Sequence, residues 1–510
     1  MLAQRGRVRQ RKVAVAAATA VLVTAVLVSP AMAEPPAAPT ELTEVAAVDA
    51  SELGDSFGWN THWNYYDTVY GEYDGLRPLT QELGVRQMRD GPPYNDDLMS
   101  KYQQLCADGV RFTISTGYEV NIAELPGVLR ELGRDCVTAV AGQNEPDLFR
   151  PPNGQDWAVV GRARQQELFD TINADPELAD IPVLSPSPAF DFTSMGSMAG
   201  IADRCDIHPY GSYYGLTTGD GYSSIYRTLE RVRPLCGDLP LTATEVGFHT
   251  ALDYDTSVDK HFPTSELAAS RMMAKAVVSY WNAGITLHHN YELVDQGTRT
   301  DDKEGSFGTI RRDLSTKPAF DVMRRLGALL GDRGTAAFTP AALTFSLTGD
   351  TERVETLLAQ RADGTYLLLV QSNDPVWDHD ARTDVAPPAR EVTVSLGQPA
   401  GVVLHSLAQD APLAALEGTQ VPVTLGPDLQ VLEISGAPGA PGPSVTPTGA
   451  PTSAPTVSPS PPVPTPEPTI VPAPPEDEGG NWLTRLQARL ERMLARVWAS
   501  LSLSGQDATP

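Results

Sequence analysis

The chain has 510 residues, and its 38 basic and 64 acidic side chains give a formal net charge of -26 at pH 7. Such a length exceeds one small domain and allows a large buried core. The strongly acidic balance repels nucleic acid and anionic lipid, so it excludes a nucleic-acid-binding surface and favours solubility outside the cell.

The N-terminal segment 1–33 has the three parts of a secretory signal peptide. A short basic stretch comes first, an apolar run follows from Val13 to Val28, and small residues end at Ala33. The run is short and alanine-rich for a spanning helix, so we predict cleavage before Glu34; an uncleaved N-terminal anchor is the alternative. Residues 34–53 are then an N-terminal segment, and the protein is predicted to be secreted, extracellular or associated with the cell surface.

Between residues 54 and 332 the chain alternates strand-like runs with segments whose apolar residues recur at three- and four-residue spacing. The runs are SFGWN, VRQMRDG, VRFTISTGY, VTAVAGQNE, IPVLSPSP, CDIHPYG, LPLTATEVGF and GITLHHNYEL. Eight strands with eight crossovers in roughly 280 residues predict a (β/α)8 barrel, also called a TIM barrel, in an α/β chain. A doubly wound sheet is the alternative, but no glycine-rich phosphate-binding turn follows the first strand.

The four cysteines suit an exported protein with two disulfides. Cys106 precedes Cys136 by nearly the same spacing as Cys205 precedes Cys236. Each of these cysteines lies beside a strand-like run, so we pair Cys106 with Cys136 and Cys205 with Cys236. A zinc site is disfavoured because the chain has no Cys-x-x-Cys pair and no histidine cluster with ligand spacing.

From residue 335 to 435 the pattern becomes all-β. Alternating and β-branched runs follow one another, and Asp363-Gly364 is a hairpin turn signal. We predict a small β-sandwich domain that follows the barrel.

The last part of the chain changes composition again. Residues 436–480 are mostly Pro, Thr, Ser, Ala and Gly, which predicts an extended linker. Residues 481–510 predict an amphipathic tail helix with arginines on its polar side and Asn481 as N-cap. Such a helix is suited to docking on a partner or an anionic cell or membrane surface, or else to pairing with itself or packing on its own protein.

Polar and aromatic residues gather where the predicted barrel strands end, which is where active sites of such barrels lie. The strand ends carry Trp59, Asn60, His62 and Trp63; Arg89 and Asp90; Asn144 and Glu145; His208 and Tyr210; Glu245; and His289, Asn290, Tyr291 and Glu292. Glu145 and Glu245 stand on nearly opposite sides of the ring. Paired carboxylates flanked by Trp and Tyr suit glycoside cleavage, because one acid protonates the leaving oxygen while the other carboxylate attacks the anomeric carbon.

The segments GQNEP after the fourth strand and LTATEVGF at the seventh resemble the signature of clan A glycoside hydrolases. In that clan the glutamate of an Asn-Glu pair at strand four is the acid/base, and a glutamate at strand seven is the nucleophile. The resemblance implies that Glu145 is the acid/base and Glu245 the nucleophile. It also implies that Asn144 bonds the sugar 2-hydroxyl.

Other positions match the clan's pattern in part. Arg89 resembles the strand-two arginine that supports the nucleophile, and IHPYG is similar to a strand-six His-x-Tyr, which maps to His208 and Tyr210. The clan's frequent strand-eight tryptophan is not evident, and LHHNYELVD offers Tyr291 instead. The β domain after the barrel is similar to that of families 39, 30 and 5.

The sequence therefore predicts a retaining glycoside hydrolase that cleaves O-glycosidic bonds of a polysaccharide or glycoconjugate by double displacement, with a monomeric catalytic domain. No cofactor and no metal are expected. The predicted substrate-binding residues are Asn144, Trp59, Trp63, Arg89, His208, Tyr210 and Tyr291. The two tryptophans suit core positions as well as sugar-stacking platforms.

Two other classes of protein are considered. A non-catalytic carbohydrate-binding or cell-surface interaction protein on the same barrel is the alternative, and the intact glutamate pair argues against it. An esterase or protease is disfavoured because no Gly-x-Ser-x-Gly elbow is present. The sugar, the linkage and the choice between endo and exo action stay open, since fold analogy does not decide them.

Overall fold

The structure is a computed structural model, and it describes residues 38–436 except 152–153, 211–224, 258–260 and 332–337. The predicted signal peptide, nearly all of the predicted linker and the predicted tail helix lie outside the described residues. Among the helices that are described, none combines the length and the apolar character that a membrane crossing requires.

The first sheet is a ring of eight short parallel strands. After two N-terminal strands, β1 (Thr43–Ala46) and β2 (Val48–Asp49), its members are β3 (Phe57–Asn60), β4 (Gln87–Asp90), β5 (Arg111–Thr116), β6 (Val137–Gln143), β7 (Val183–Leu184), β8 (Cys205–Asp206), β9 (Leu241–Val246) and β10 (Ile285–Asn290). Neighbours in chain order pair in parallel, and β10 pairs with β3. A parallel bridge from Leu184 of β7 to Arg204, just before β8, joins the remaining edges. This closed ring is the arrangement of the predicted barrel.

Helices follow most of the strands. They are α1 (Ala50–Gly54), α2 (Tyr73–Leu83), α3 (Asp96–Ala107), α4 (Leu125–Leu132), α5 (Trp157–Asn173), α6 (Ile225–Cys236), α7 (Glu266–Asn282) and α8 (Pro318–Leu330), with 3-10 turns at Val69–Gly71 and Arg134–Cys136. The expected crossover helix between β7 and β8 is absent, because residues 185–204, all of which are described, form turns and bends. Proline, glycine and serine are frequent in this segment, and they favour turns over a helix.

Several helices begin at side chains that satisfy their first backbone N–H groups. Asp156 accepts hydrogen bonds from the N–H groups of Ala158 and Val159 at the start of α5. Ser265 accepts one from Ala268 at the start of α7. Such N-caps fix the point at which each helix starts and so set the lengths of the loops at the barrel mouth.

The predicted cysteine pairing is present. Cys106 at the end of α3 is bonded to Cys136 just before β6, with Cα atoms 5.6 Å apart. Cys205 at the start of β8 is bonded to Cys236 at the end of α6, with Cα atoms 5.2 Å apart. Each bridge therefore ties a helix end to the beginning of a barrel strand.

The region after the barrel is all-β, as predicted. Its strands are β11 (Ala342–Gly349), β12 (Val354–Gln360), β13 (Tyr366–Ser372), β14 (Trp377–Asp378), β15 (Thr383–Asp384), β16 (Arg390–Ser406), β17 (Ala414–Leu425) and β18 (Gln430–Ser435). The turn at Asp363-Gly364 joins β12 to β13, and Gly364 has a φ of 89°, a conformation that glycine adopts without strain.

The second sheet bends on itself along β16. The first part of β16 pairs with β11 and its last part pairs with β18, while β17 follows it across a register shift between Ser395 and Ala400. Side chains from both halves, including Phe345, Leu368 and Val421, form one apolar core.

The N-terminal segment belongs to this second sheet, which the sequence did not predict. β1 pairs antiparallel with β11, and β2 pairs parallel with β12. Strands as short as these show no recognisable periodicity. They nevertheless fix the chain at a sheet edge before it enters the barrel.

Candidate active site

The polar strand ends meet at one end of the barrel. Arg89 lies in β4, Glu145 follows β6, His208 follows β8, and Glu245 lies in β9. The nearest ligand atoms of Glu145, His208 and Glu245 all lie within 4.8 Å of one another. Side chains that are far apart in sequence therefore form one cluster, as the closed order of the strands requires.

Glu245 is a buried carboxylate that is surrounded by donors. Nη1 of Arg89 donates to Oε1 at 2.5 Å, and the hydroxyl of Tyr210 donates to Oε2 at 2.9 Å. Burial alone would raise the pKa of Glu245, but the charges of His208 and Arg89 and the hydrogen bonds from Tyr210 and Arg89 outweigh it. The pKa of Glu245 therefore lies below its ordinary value, which favours the ionised form.

Glu145 has the opposite electrostatic environment. Burial is the main cause that raises its pKa, the charge of Glu245 adds to this, and the hydrogen bond and charge of His208 oppose it. Oε1 of Glu145 lies 2.9 Å from Nδ1 of His208. The environment of Glu145 therefore favours its protonated form, whereas that of Glu245 favours its ionised form.

The backbone at Glu145 is in a sparsely populated conformation. Its φ is 38°, in the left-handed region that residues other than glycine rarely adopt. The carbonyl of Glu145 accepts hydrogen bonds from the N–H groups of Leu148 and Phe149, so the strand turns sharply there. Such conformations persist only where the surrounding structure compensates for their cost, and they cluster at functional sites.

Arg89 connects the polar residues of the site. Besides Glu245, it donates to Oδ1 of Asn144 from Nη2 at 2.5 Å and to Oδ1 of Asn60 from Nη1 at 3.0 Å. Asn60 in turn donates to the carbonyl of Thr244 at 3.0 Å. Asn60 stands at a predicted strand end but is not among the predicted site residues, and only the direction of its side chain shows that it belongs here.

The prediction that Trp59 and Trp63 bind substrate is wrong. Trp59 is 1% exposed and Trp63 is 0% exposed, so neither ring has a free face on which a sugar could stack. The indole N–H of Trp59 donates to Thr309 at 2.9 Å, and the ring of Trp63 meets Tyr70 and Tyr73 edge to face. Both tryptophans are core residues.

Aromatic rings at the first and last strand ends lie together instead. The ring of Tyr291 meets His62 edge to face at 5.8 Å and Phe307 at 5.3 Å. Tyr65 stacks on His62 with 4.7 Å between ring centroids and 5° between their planes. His62, Tyr65 and Tyr291 are all partly exposed. No sequence signal marked Tyr65 or Phe307, which lie in loops.

A third carboxylate, Glu292, lies beside this aromatic group. It is fully buried, and it accepts hydrogen bonds from Tyr70 at 3.0 Å and from Gln296 at 3.0 and 3.2 Å. Burial raises the pKa of Glu292 well above its ordinary value. With no exposed surface it supports neighbouring side chains and has no direct access to a ligand.

Glu145, His208 and Glu245 also have the donor types of a metal site. The oxygens of Glu245, however, already accept hydrogen bonds from Arg89 and Tyr210. A divalent cation would have to compete with the guanidinium of Arg89 for the same carboxylate. The donor set therefore fits a site for proton transfer better than a cation site.

Comparisons with known proteins bear on the fold. No family model matches the chain, and no curated protein matches it. Solved structures do match the chain. A family 39 glycoside hydrolase from Xanthomonas axonopodis pv. citri is 15% identical in sequence to this chain, with a TM-score of 0.52. The match covers 78% of this chain and 97% of that chain. A monomeric β-xylosidase from Caulobacter crescentus CB15 has 16% identity and a TM-score of 0.50, with 77% and 97% covered.

The chain shares the fold of these glycoside hydrolases. The matched part spans nearly the whole length of both solved proteins. Sequence identity is too low for the comparison to carry an activity by itself. The chemistry has to be argued from the residues of the site.

Proposed function

We propose that this protein is a retaining glycoside hydrolase in which Glu145 is the acid/base and Glu245 is the nucleophile. The observation that carries the proposal is the pair itself: a partly buried and a buried carboxylate at one barrel end, with oxygens within 4.8 Å and with pKa values moved in opposite directions. Retaining enzymes hold their carboxyl groups roughly 5–5.5 Å apart, whereas inverting enzymes leave about 6.5–9.5 Å for a water. The short separation supports retention.

In the first step Glu245 attacks the anomeric carbon and Glu145 protonates the departing oxygen. A covalent glycosyl-enzyme forms as the glycosidic bond breaks, and the leaving group departs with the proton of Glu145. Arg89 and Tyr210 hold both oxygens of Glu245, which keeps the nucleophile ionised and fixes its direction. We assign to Asn144, whose Oδ1 accepts a hydrogen bond from Arg89, the contact with the sugar 2-hydroxyl.

In the second step Glu145 acts as a base. It has lost its proton, so it can take one from a water molecule as that water attacks the anomeric carbon and releases Glu245. The configuration at the anomeric carbon is inverted twice and therefore retained. The raised pKa of Glu145 suits both roles, since a group with an elevated pKa holds the proton in the first step and regains one in the second.

The test is hydrolysis of a panel of aryl glycosides, with product stereochemistry followed by proton NMR. The panel begins with an aryl β-xyloside, because one structural neighbour is described as a β-xylosidase. Wild type should release the retained anomer first, and Glu245→Gln should be inactive on the same substrate. Release of the inverted anomer would contradict the mechanism. Binding of glycans without turnover of any panel member would favour the non-catalytic alternative.

We further propose that the protein is exported. The N-terminal sequence, with its basic, apolar and small-residue parts, and the two disulfides support this. N-terminal sequencing of protein recovered outside the cell should begin at Glu34. A mature N-terminus at Met1 in the membrane fraction would contradict cleavage.

A further inference from the structure

A buried aspartate lies behind the proposed acid/base and has no part in the two steps above. Asp206, in β8, is 1% exposed. Its Oδ1 accepts the backbone N–H of Thr244 at 2.9 Å, and its Oδ2 accepts the hydroxyl of Thr244 at 2.6 Å. The same hydroxyl oxygen lies 3.2 Å from Nε2 of His208. A continuous chain of hydrogen bonds thus runs from Asp206 through Thr244 and His208 to Glu145.

The donors and acceptors along this chain of hydrogen bonds determine the protonation state of His208. The hydroxyl of Thr244 has one proton, and an ionised Asp206 takes it. Only the lone pairs of that hydroxyl then face His208, so Nε2 must carry a proton. On the other side, Glu145 must keep its acid proton on Oε2 for the leaving group, so Oε1 needs a donor at Nδ1 of His208. Both ring nitrogens are then donors, which makes His208 a cation.

The charges around His208 support this form. Glu245 and Asp206 are the anions, Arg89 is the second cation, and Glu145 is neutral before the first step, so the buried cluster is balanced. Burial alone would lower the pKa of His208, but the charge of Glu245 and the bond to Glu145 outweigh it and raise the pKa. A charged His208 is therefore the form that its neighbours favour.

One further titratable group, Tyr210, faces this part of the site. Tyr210 stays neutral, because burial raises its pKa well above the ordinary value. Burial also raises the pKa of Asp206, and the charges of His208 and Arg89 and the hydrogen bonds from Thr244 oppose that rise. The two hydrogen bonds that Asp206 accepts from Thr244, together with the charge of His208, favour its ionised form.

We propose that Asp206 is a positioning residue of the acid/base, which acts through Thr244 to hold His208 as a doubly protonated cation that donates from Nδ1 to Oε1 of Glu145. This rests on the proposed role of Glu145. The cation fixes one oxygen of Glu145 and leaves the other for the leaving group. After the proton has been given up, it also stabilises the carboxylate that must act as the base.

The test is a histidine NMR titration of the full chain, with imidazole nitrogens labelled and the His208 signal identified by its loss in His208→Gln. Wild type should show a doubly protonated His208 at neutral pH. Asp206→Asn should lower its proton affinity by at least about tenfold, since a hydrogen-bonded negative charge has been removed. The matched control is Asp203→Asn. Asp203 lies just before β8, and its carboxylate accepts a hydrogen bond from the N–H of Val183, so this change should leave the titration of His208 unchanged.

Variants of Thr244 distinguish an effect that the Thr244 hydroxyl transmits from a direct effect of the Asp206 charge on His208. Thr244→Val keeps the backbone bond to Asp206 but removes the hydroxyl, so it should also lower the proton affinity of His208 although the aspartate charge remains. Thr244→Ser keeps the hydroxyl and should retain the wild-type titration. A neutral His208 in wild type at neutral pH, or a titration that Asp206→Asn and Thr244→Val leave unchanged, would overturn the proposal. The titration needs no turnover, so its result is independent of whether the protein hydrolyses a given glycoside.

A second readout follows if an aryl glycoside is hydrolysed. His208 is closer to Glu145 than Asp206 is, so loss of the cation outweighs loss of the aspartate charge. The pKa of Glu145 should then rise, and the alkaline limb of kcat/KM should move to higher pH in Asp206→Asn. If the titration of His208 shifts in Asp206→Asn while the limb stays in place, the proposed effect of His208 on the proton of Glu145 is contradicted.

Discussion

The hydroxyl of Tyr210 donates to Oε2 of Glu245 at 2.9 Å, whereas the guanidinium of Arg89 donates to the other oxygen of the same carboxylate. A hydrogen bond to the ionised form lowers the pKa of a carboxyl group. Glu245 must be ionised to attack, so the acid limb of kcat/KM should report on this contact.

We expect Tyr210→Phe to move that acid limb to higher pH. Removal of the donor raises the pKa of Glu245, so activity is lost at a higher pH as the medium becomes acidic. At neutral pH kcat/KM should fall roughly ten- to hundredfold, as for loss of a hydrogen bond to a charged group. Tyr73→Phe is the control, because the hydroxyl of Tyr73 donates to the carbonyl of Lys101 away from the site. An unmoved limb in Tyr210→Phe would contradict the role given to Tyr210.

Glu245→Ala should reduce hydrolysis of an activated aryl glycoside by more than about 10³-fold, since no nucleophile remains. Azide should restore part of the activity, because a small anion fits the space of the missing carboxylate. It attacks from the same face as Glu245, and the glycosyl azide should therefore have inverted configuration by NMR. A retained glycosyl azide would place the nucleophile elsewhere.

Glu145→Ala should show a dependence on the leaving group. Substrates with good leaving groups need no protonation, so their first step should be nearly unchanged, and a burst should appear as the glycosyl-enzyme accumulates. Substrates with poor leaving groups should react about 10²–10⁴-fold more slowly, as expected for loss of general acid catalysis. Equal rate losses across a series of leaving groups, measured at fixed pH, would argue against Glu145 as the acid.

Trp59→Phe and Trp63→Phe should affect stability and spare substrate binding. Trp59→Phe removes a buried hydrogen bond to Thr309 as well as volume, and we expect a loss of about 1–3 kcal/mol in the free energy of unfolding. Trp63→Phe removes volume only and should cost less. Urea denaturation measures the stability, and KM should stay near its wild-type value. A large rise in KM without a loss of stability would indicate that the substituted tryptophan stacks on the substrate.

Each disulfide should stabilise the fold by about 3 kcal/mol, because it restricts the unfolded chain by closing a loop across a sequence separation of 30 or 31. The double variants Cys106→Ala/Cys136→Ala and Cys205→Ala/Cys236→Ala should show this as lowered urea midpoints under oxidising conditions. Under reducing conditions wild type should lose the same advantage. Peptide mapping without reduction that joined Cys106 to Cys205 or Cys236 would refute the pairing.

Much of the framework could be predicted from the sequence. The apolar runs marked all eight barrel strands, and the four cysteines paired as their spacing indicated. Glu145 and Glu245 could be predicted to lie near each other because both stand at strand ends, and the carboxyl ends of parallel strands in a closed ring lie at the same rim. This inference needs only the order of the strands, which the alternation of strand and helix already contains. It does not need side-chain directions.

Side-chain direction is what only the tertiary structure decided. Trp59 and Asn60 are adjacent in β3, and neighbouring residues of a strand point to opposite faces. Asn60 faces into the barrel and meets Arg89, whereas Trp59 is buried in the core outside it. All four residues of β3 are buried, so the sequence pattern does not show which of them face the barrel interior. The sequence therefore favours Trp59 as a site residue, whereas the structure places Asn60 there.

The contacts behind the site were also beyond the sequence. Asp206 and Thr244 lie in different strands, and they meet only because β8 and β9 pair in register. β1 and β2 join a sheet whose other strands begin only at Ala342, after the whole barrel. Residue types and local periodicity establish which groups are present at a rim. The register between distant strands establishes which of them share a proton or a hydrogen bond, because contacts at about 3 Å depend on the packing of the whole chain.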